Sequence, residues 1–222
     1  MSNKRSLGSR VGIALLVGVC ATLVATCCGV SAAASAKDHC RQGATLYKQG
    51  KLAAAAAQFG AAIRIDPKSF LAHNGLGAVR YAQRKLPDAV AAWRAALKIN
   101  PKSASVHSNL GAALNDMGKT KDAISACRKA IKLKPRFAGA HFNLGRGLYK
   151  QRKYSQAIAA YRAALRINPK FSDAWLNLGM AYAKGTKEPR RAIQAFKEHL
   201  RLDPKPRECT CWIKAYVEKY DK

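Results

Sequence analysis

Apolar positions along most of this chain recur at helical spacing, and the helical segments themselves recur. Small and bulky apolar residues stand four and then three apart: Ala55, Phe59 and Ala62, then Ala89, Trp93 and Ala96, then Ala123, Cys127 and Ala130, then Ala157, Tyr161 and Ala164. A fifth set, Ala192 and Phe196, ends on His199 instead of an alanine. Residues three and four apart share one face of a helix, so each set predicts an amphipathic helix. A second pattern precedes each set. Ala140-His141-Phe142-Asn143-Leu144-Gly145 is echoed by Ala174-Trp175-Leu176-Asn177-Leu178-Gly179 and by Val106-His107-Ser108-Asn109-Leu110-Gly111. Ala72-His73-Asn74-Gly75-Leu76-Gly77 is a weaker copy, and the first copy keeps only His39 and Gly43. The glycines 43, 77, 111, 145 and 179 lie 34 residues apart.

Prolines close each period: Pro67, Pro101, Pro135, Pro169 and Pro204, at spacings of 34, 34, 34 and 35. Proline cannot continue a helical ladder and disfavours helix in the residue before it. Each unit therefore reads as two helices. The first ends near Gly50, Arg84, Gly118, Arg152 and Gly185, and the second ends at the proline. Self-similarity at this period predicts a stack of supersecondary units burying a continuous core. The extra residue of the fifth unit falls in Lys184-Gly185-Thr186-Lys187-Glu188-Pro189 and is expected to lengthen its turn.

The pattern resembles the tetratricopeptide repeat family over residues 37–204. Trp175, Leu178, Gly179, Tyr182, Ala192, Phe196 and Pro204 fall where that family expects them. The resemblance implies an all-α fold: a right-handed α-solenoid of five helix-turn-helix repeats, with the first helix of each unit lining a concave groove. The repeats are placed at about 37–68, 70–102, 104–136, 138–170 and 172–205. The first matches least well, with Arg41 and Gln42 where later copies have Asn and Leu, as terminal repeats often do. Residues 205–222 are expected to form a C-terminal capping helix. Cys209, Trp212, Ile213, Tyr216, Val217 and Tyr220 share one face of it, suited to covering the open end of the fifth repeat. A partner-binding amphipathic helix is the competing use.

Residues 1–36 read as a targeting segment. Lys4, Arg5 and Arg10 precede an uncharged apolar run over residues 11–25, and Ala34-Ser35-Ala36 supplies an A-x-A site. These are the parts of a secretory signal peptide. The uncharged stretch 11–36 also has the length of roughly 20 residues that a membrane anchor needs. Lipidation at Cys27 is a third reading, against which Thr26 stands where Gly, Ala or Ser is usual. The expected location is exported: periplasmic or secreted, or held to a membrane by residues 11–36.

Charge then shapes the partner. Forty Lys and Arg against 12 Asp and Glu give a net charge of +28. Such an excess bears on partners and solubility, not on fold. Apolar residues make up 49% of the chain, enough to bury a core.

Three ladders follow the period. Asn109, Asn143 and Asn177 stand two before their glycines. An amide offers both donor and acceptor. In long arrays of the resembled family such a row holds the backbone of an extended peptide, which implies a peptide site here. The competing reading is that these amides brace neighbouring units. The same family's carboxylate clamp for chaperone tails is absent, because its lysine and asparagine places hold Ser108, Phe142 and Leu176, and Ala112, Arg146 and Met180. The second ladder is basic: Arg94 and Lys98, Arg128 and Lys132, Arg162 and Arg166, Lys197 and Arg201, seven and three before each proline. Like charges four apart on a helix repel by a few tenths of a kcal/mol. An unmixed basic stripe suggests an anionic membrane surface or envelope polymer, with a solvated face as the alternative. Nucleic acid is disfavoured by the export pattern and by the lack of interleaved aromatics for base stacking. The third ladder is His39, His73, His107 and His141, four before each glycine, where the fifth unit has Trp175. Units are spaced by a helix diameter, roughly 10 Å, too far for two rings to share a zinc with bonds of about 2.0–2.1 Å. These histidines read as packing residues, with a response to pH as the competing use.

With the targeting segment removed, Cys40, Cys127, Cys209 and Cys211 would remain. Cys127 holds a core place, and Cys209-x-Cys211 is a weak signal for a local disulfide, an intermolecular link or a metal pair. No phosphate loop, HExxH or CxxCH stands in the chain, nor a nucleophile with a base beside it. The expectation is a non-catalytic scaffold in a cell envelope, without cofactor or metal, that binds peptide segments in its groove. Docking of the basic face on an anionic envelope surface is the alternative.

Overall fold

The computed structural model describes residues 35–204 and 211–220. They form an α-solenoid with no strand among them. Five first helices, α1 (Ala36–Lys48), α3 (Phe70–Ala82), α5 (Ala104–Asp116), α7 (Ala138–Lys150) and α9 (Ser172–Met180), alternate with five second helices, α2 (Leu52–Ile65), α4 (Leu86–Ile99), α6 (Thr120–Leu133), α8 (Tyr154–Ile167) and α10 (Pro189–Leu202). Helix α11 (Cys211–Tyr220) ends the array. Each first helix packs on its own second helix and on the second helix before it. First helices also touch in succession, α1 with α3, α3 with α5 and α5 with α7. First helices thus make one face of the solenoid, called inner below, and second helices the outer one.

The hairpin inside each unit turns on one left-handed residue. Gly50, Arg84, Gly118 and Arg152 have φ of 73°, 61°, 75° and 60°. Glycine adopts this region freely, whereas an L side chain there is strained by about 1–2 kcal/mol. The stack imposes the same turn on Arg84 and Arg152 as on the two glycines. Lys51, Lys85, Lys119 and Lys153 follow at φ near −80° and ψ of 61–68°, and no side chain caps the helix they start. In place of a cap, Leu52 and Thr120 donate their N–H to the carbonyls of Gly50 and Gly118 at 2.9 Å, across inverse γ-turns.

The fifth unit departs from the expected long turn. Its first helix passes through Gly185 and widens into a π-helical segment, Ala181–Thr186. The left-handed residue is Lys187, φ 55°. One residue inserted into an α-helix is commonly absorbed as a π-bulge. The insertion therefore resides in the helix, and the turn after it keeps its left-handed residue.

At three of the prolines the turn between units is set by the residue before the proline. Asp66, Asn100 and Asn168 are extended, and their side-chain oxygens accept the N–H of Lys68, Lys102 and Lys170 at 3.0, 3.1 and 3.1 Å. Such Asx turns reverse the chain locally. Ser69 and Ser103 then cap α3 and α5 by accepting the N–H of Ala72 and Val106 at 3.4 Å.

The core repeats with the chain. Ala55, Ala89, Ala123, Ala157 and Ala192 are fully buried, as are Ala62, Ala96, Ala130 and Ala164, and His199 takes the last place at 4% exposure. The recurring glycines are there because a bulky residue lies against each. A methyl at Gly77 would stand 2.6 Å from Trp93 Nε1, one at Gly145 2.5 Å from Tyr161 Cε1, and those at Gly111 and Gly179 would collide with Cys127 and Phe196. Trp93, Cys127, Tyr161 and Phe196 are buried in turn, and burial of each large side chain contributes about 1.5–3 kcal/mol.

Helix α11 covers the last unit. Ile213 is wholly buried, Trp212 and Tyr216 meet the ring of Phe196 edge-on at 5.3 and 5.5 Å, and Tyr216 lies tilted against Tyr220 at 4.8 Å. Trp212 and Tyr220 are each left 44% exposed. No helix among the described residues is long and apolar enough to cross a membrane. The candidate signal, anchor and lipidation segments over residues 1–34, and Cys209 of the paired cysteines, lie outside the described residues.

Candidate functional site

The three inner-face asparagines repeat in position but not in bonding. Asn143, on α7, donates to the Ser108 carbonyl and hydroxyl on α5, each at 3.3 Å, and so ties the fourth unit to the third. Asn177 turns back on its own helix and donates to the Asp173 carbonyl at 2.7 Å. Asn109 makes no hydrogen bond with its side chain among the described residues. All three are half-buried. Among the described residues the amide oxygens of Asn143 and Asn177 accept no hydrogen bond, so the row offers three acceptors, with two donors at Asn109 and one at Asn177 as well.

Beside this row lies a polar cluster that sequence reasoning missed. Asp116, at the end of α5, accepts a hydrogen bond from the Tyr81 hydroxyl on α3 at 2.6 Å and one from Arg146 Nη2 on α7 at 2.7 Å. Arg84 approaches the same carboxylate at 3.9 Å. One side chain thus joins three successive units. Burial works to raise the Asp116 pKa, but the bonds from Tyr81 and Arg146 and the charges of Arg146 and Arg84 outweigh it and hold the carboxyl below its usual range. Arg146 also lies over the Phe142 ring at 5.9 Å. The one signal in the sequence is that Asp116 stands where the other units have Lys48, Ala82, Lys150 and Lys184.

The basic ladder lies on the outer face. Arg94, Lys98, Arg128, Lys132, Arg162, Arg166, Lys197 and Arg201 are all exposed. Arg201 donates to Glu198 at 2.8 and 3.0 Å. No ion pair involves Arg94, Lys98, Arg128, Lys132, Arg162 or Arg166 among the described residues.

The histidine ladder has a definite structural task. Nε2 of His73, His107 and His141 lies 2.9 Å from the carbonyl oxygen of Pro67, Pro101 and Pro135, and Trp175 Nε1 lies 2.8 Å from that of Pro169. A carbonyl only accepts, and an indole nitrogen only donates, so the imidazoles carry their proton on Nε2. Each ring satisfies a carbonyl that the proline turn leaves without a helical partner. His39 instead meets Gln58 Oε1 at 2.6 Å. Among the described residues no three His, Cys, Asp or Glu are grouped to hold a metal ion. Burial pushes the Cys127 thiol up to about 12, against a smaller opposing effect of Arg146, so it stays protonated and inert at neutral pH.

Stacked helical hairpins with polar faces define an interaction scaffold. Sequence profiles described as tetratricopeptide repeat match residues 104–137 and 142–205, and one described as TPR repeat matches 43–84 and 79–118. The chain belongs to the tetratricopeptide repeat family. No curated protein matches it in sequence. Among solved structures it is similar to MamA, at 25% identity over 73% of this chain and 94% of that one, with a TM-score of 0.64. PilF of Pseudomonas aeruginosa is 20% identical over 83% and 88%, TM-score 0.70. YrrB, described as a TPR protein with an unusual peptide-binding site, is 20% identical over 84% and 93%, TM-score 0.64. The last two likenesses show the fold alone.

Proposed function

We propose that this chain is an exported scaffold that holds extended peptide segments against its inner face in a cell envelope. The observation that carries this reading is the row of unspent amide oxygens at Asn109, Asn143 and Asn177 on successive first helices. Half-buried acceptors at a regular rise suit the regularly spaced N–H groups of an extended backbone. The export pattern of residues 1–36 supports the location.

A second reading rests on a different observation: six basic side chains on the outer face form no ion pair among the described residues. Such a stripe suits an anionic lipid or polymer surface. Counterion release makes that mode steeply salt-dependent, whereas backbone hydrogen bonding in a groove is not.

A pull-down from envelope extract with the full chain, at low and high salt, separates the two. Asn109→Ala is the clean probe, because Asn143→Ala also removes the brace to Ser108. Groove binding predicts a partner retained at high salt and lost with Asn109→Ala plus Asn177→Ala. A partner lost with salt and indifferent to those changes would move the function to the outer face.

A further inference from the structure

A groove between the second helices of units four and five carries a surface that neither reading uses. It has a volume of about 680 Å³. Arg162 and Arg166 stand on its α8 wall and Arg191 on its α10 wall, and Trp175, Leu178 and Tyr182 line it from the first helix of unit five. Leu178 is 4% exposed and Tyr182 7%, so the floor is recessed and apolar. Trp175 replaces the histidine of units two to four. Its N–H is committed to Pro169, which fixes the indole and leaves its ring as contact area. Arg191 is tied to Glu188 and lies 5.9 Å over the Tyr182 ring, whereas Arg162 and Arg166 have no acidic partner among the described residues. Tyr182 lies in the π-helical segment, and such bulges gather at functional sites.

From this arrangement we infer that the groove between α8 and α10 is a second binding site, for an acidic peptide segment with an aromatic or large aliphatic anchor. Charge complementarity names the flanks: carboxylates on the segment meet Arg162 and Arg166 in the paired geometry that guanidinium favours. The recessed floor names the anchor, an apolar side chain against Trp175 and Leu178. A flat membrane would touch the ridges of the second helices and leave this floor empty. The inference goes beyond the inner-face reading, from which the site is separated by the first helices.

The test uses the full chain and a short fluorescein-labelled peptide of aspartates and glutamates around one phenylalanine, read by fluorescence anisotropy. Arg162→Glu with Arg166→Glu changes only exposed positions and is expected to weaken binding at least about tenfold. Trp175→His restores the residue of the other units, with its donor to the proline carbonyl, and is expected to cost about fivefold. Replacing the phenylalanine of the probe by serine should weaken binding comparably, and Asn109→Ala should leave it unchanged. The circular dichroism melt of the Arg162→Glu/Arg166→Glu variant should match the wild type, and that of Trp175→His should stay cooperative and folded at the temperature of the binding assay. Unchanged binding with either variant would overturn the proposal, as would equal binding of the serine peptide. Loss of binding with Asn109→Ala alone would place the probe on the inner face, overturning this site while leaving the inner-face reading intact.

Discussion

In units two, three and four the ring that reaches back to the proline carbonyl is His73, His107 or His141; in unit five it is Trp175. In the earlier hairpins the left-handed residue is Arg84, Gly118 or Arg152, two residues past the end of the first helix; in unit five it is Lys187, displaced by an insertion that a π-helix absorbs. The backbone task persists while the residue performing it changes. What the repeat preserves is a donor for an orphaned carbonyl and a left-handed turn, and several side chains meet each need. Unit five also differs at its far side, where Phe196 receives α11 instead of another repeat.

That contrast can be broken most strongly at the bulky core place. Phe196→Ala should destabilise the protein by about 3–5 kcal/mol and release α11, because it removes the ring on which Trp212 and Tyr216 rest. Cys127→Ala at the equivalent place in unit three removes one buried sulfur and should cost only about 1 kcal/mol. Urea titration followed by circular dichroism compares them.

The link between units is next in size. Asp116→Asn should cost about 2 kcal/mol at neutral pH, since it weakens charge-assisted bonds to Arg146 and the accepted bond from Tyr81. The folded carboxyl titrates below its ordinary value of 3.8. The stabilisation is therefore present above that value and is lost as pH falls below it, so the difference between wild type and variant should shrink in strong acid.

A ring donor is worth less. His107→Ala should cost about 1 kcal/mol, the worth of one hydrogen bond, and Trp175→His should cost less than Trp175→Ala because it keeps the donor. The smallest effect has the opposite sign. Arg152→Gly should stabilise by up to about 1 kcal/mol, as it relieves a left-handed side chain at φ 60°, and Gly118→Ala should lose a similar amount. Equal melting temperatures for Arg152→Gly and wild type would show that the stack, not the residue, absorbs the strain.

Much of this fold could be read from the chain. The 34-residue period, the glycine facing a bulky residue, and the prolines closing each unit are local patterns with direct physical meaning. The turns at Arg84 and Arg152 were harder to see, because arginine does not announce a left-handed backbone. The extra residue of unit five was visible, but sequence cannot say whether a helix or a turn absorbs it. The candidate site was legible only as a row of positions. Whether Asn143 reaches Ser108, or Tyr81 and Arg146 converge on Asp116, depends on the rotation between successive units, and these partners lie 30 or 35 residues apart in sequence.

The claim that the inner face binds the partner is tested most directly by site-specific photo-crosslinking in cells. A photoreactive amino acid at position 109 samples the inner face, and one at position 128 samples the outer. The account predicts a discrete adduct with a protein partner from position 109 and none of that mass from position 128. An adduct from position 128 alone would contradict it and transfer the function to the basic outer face.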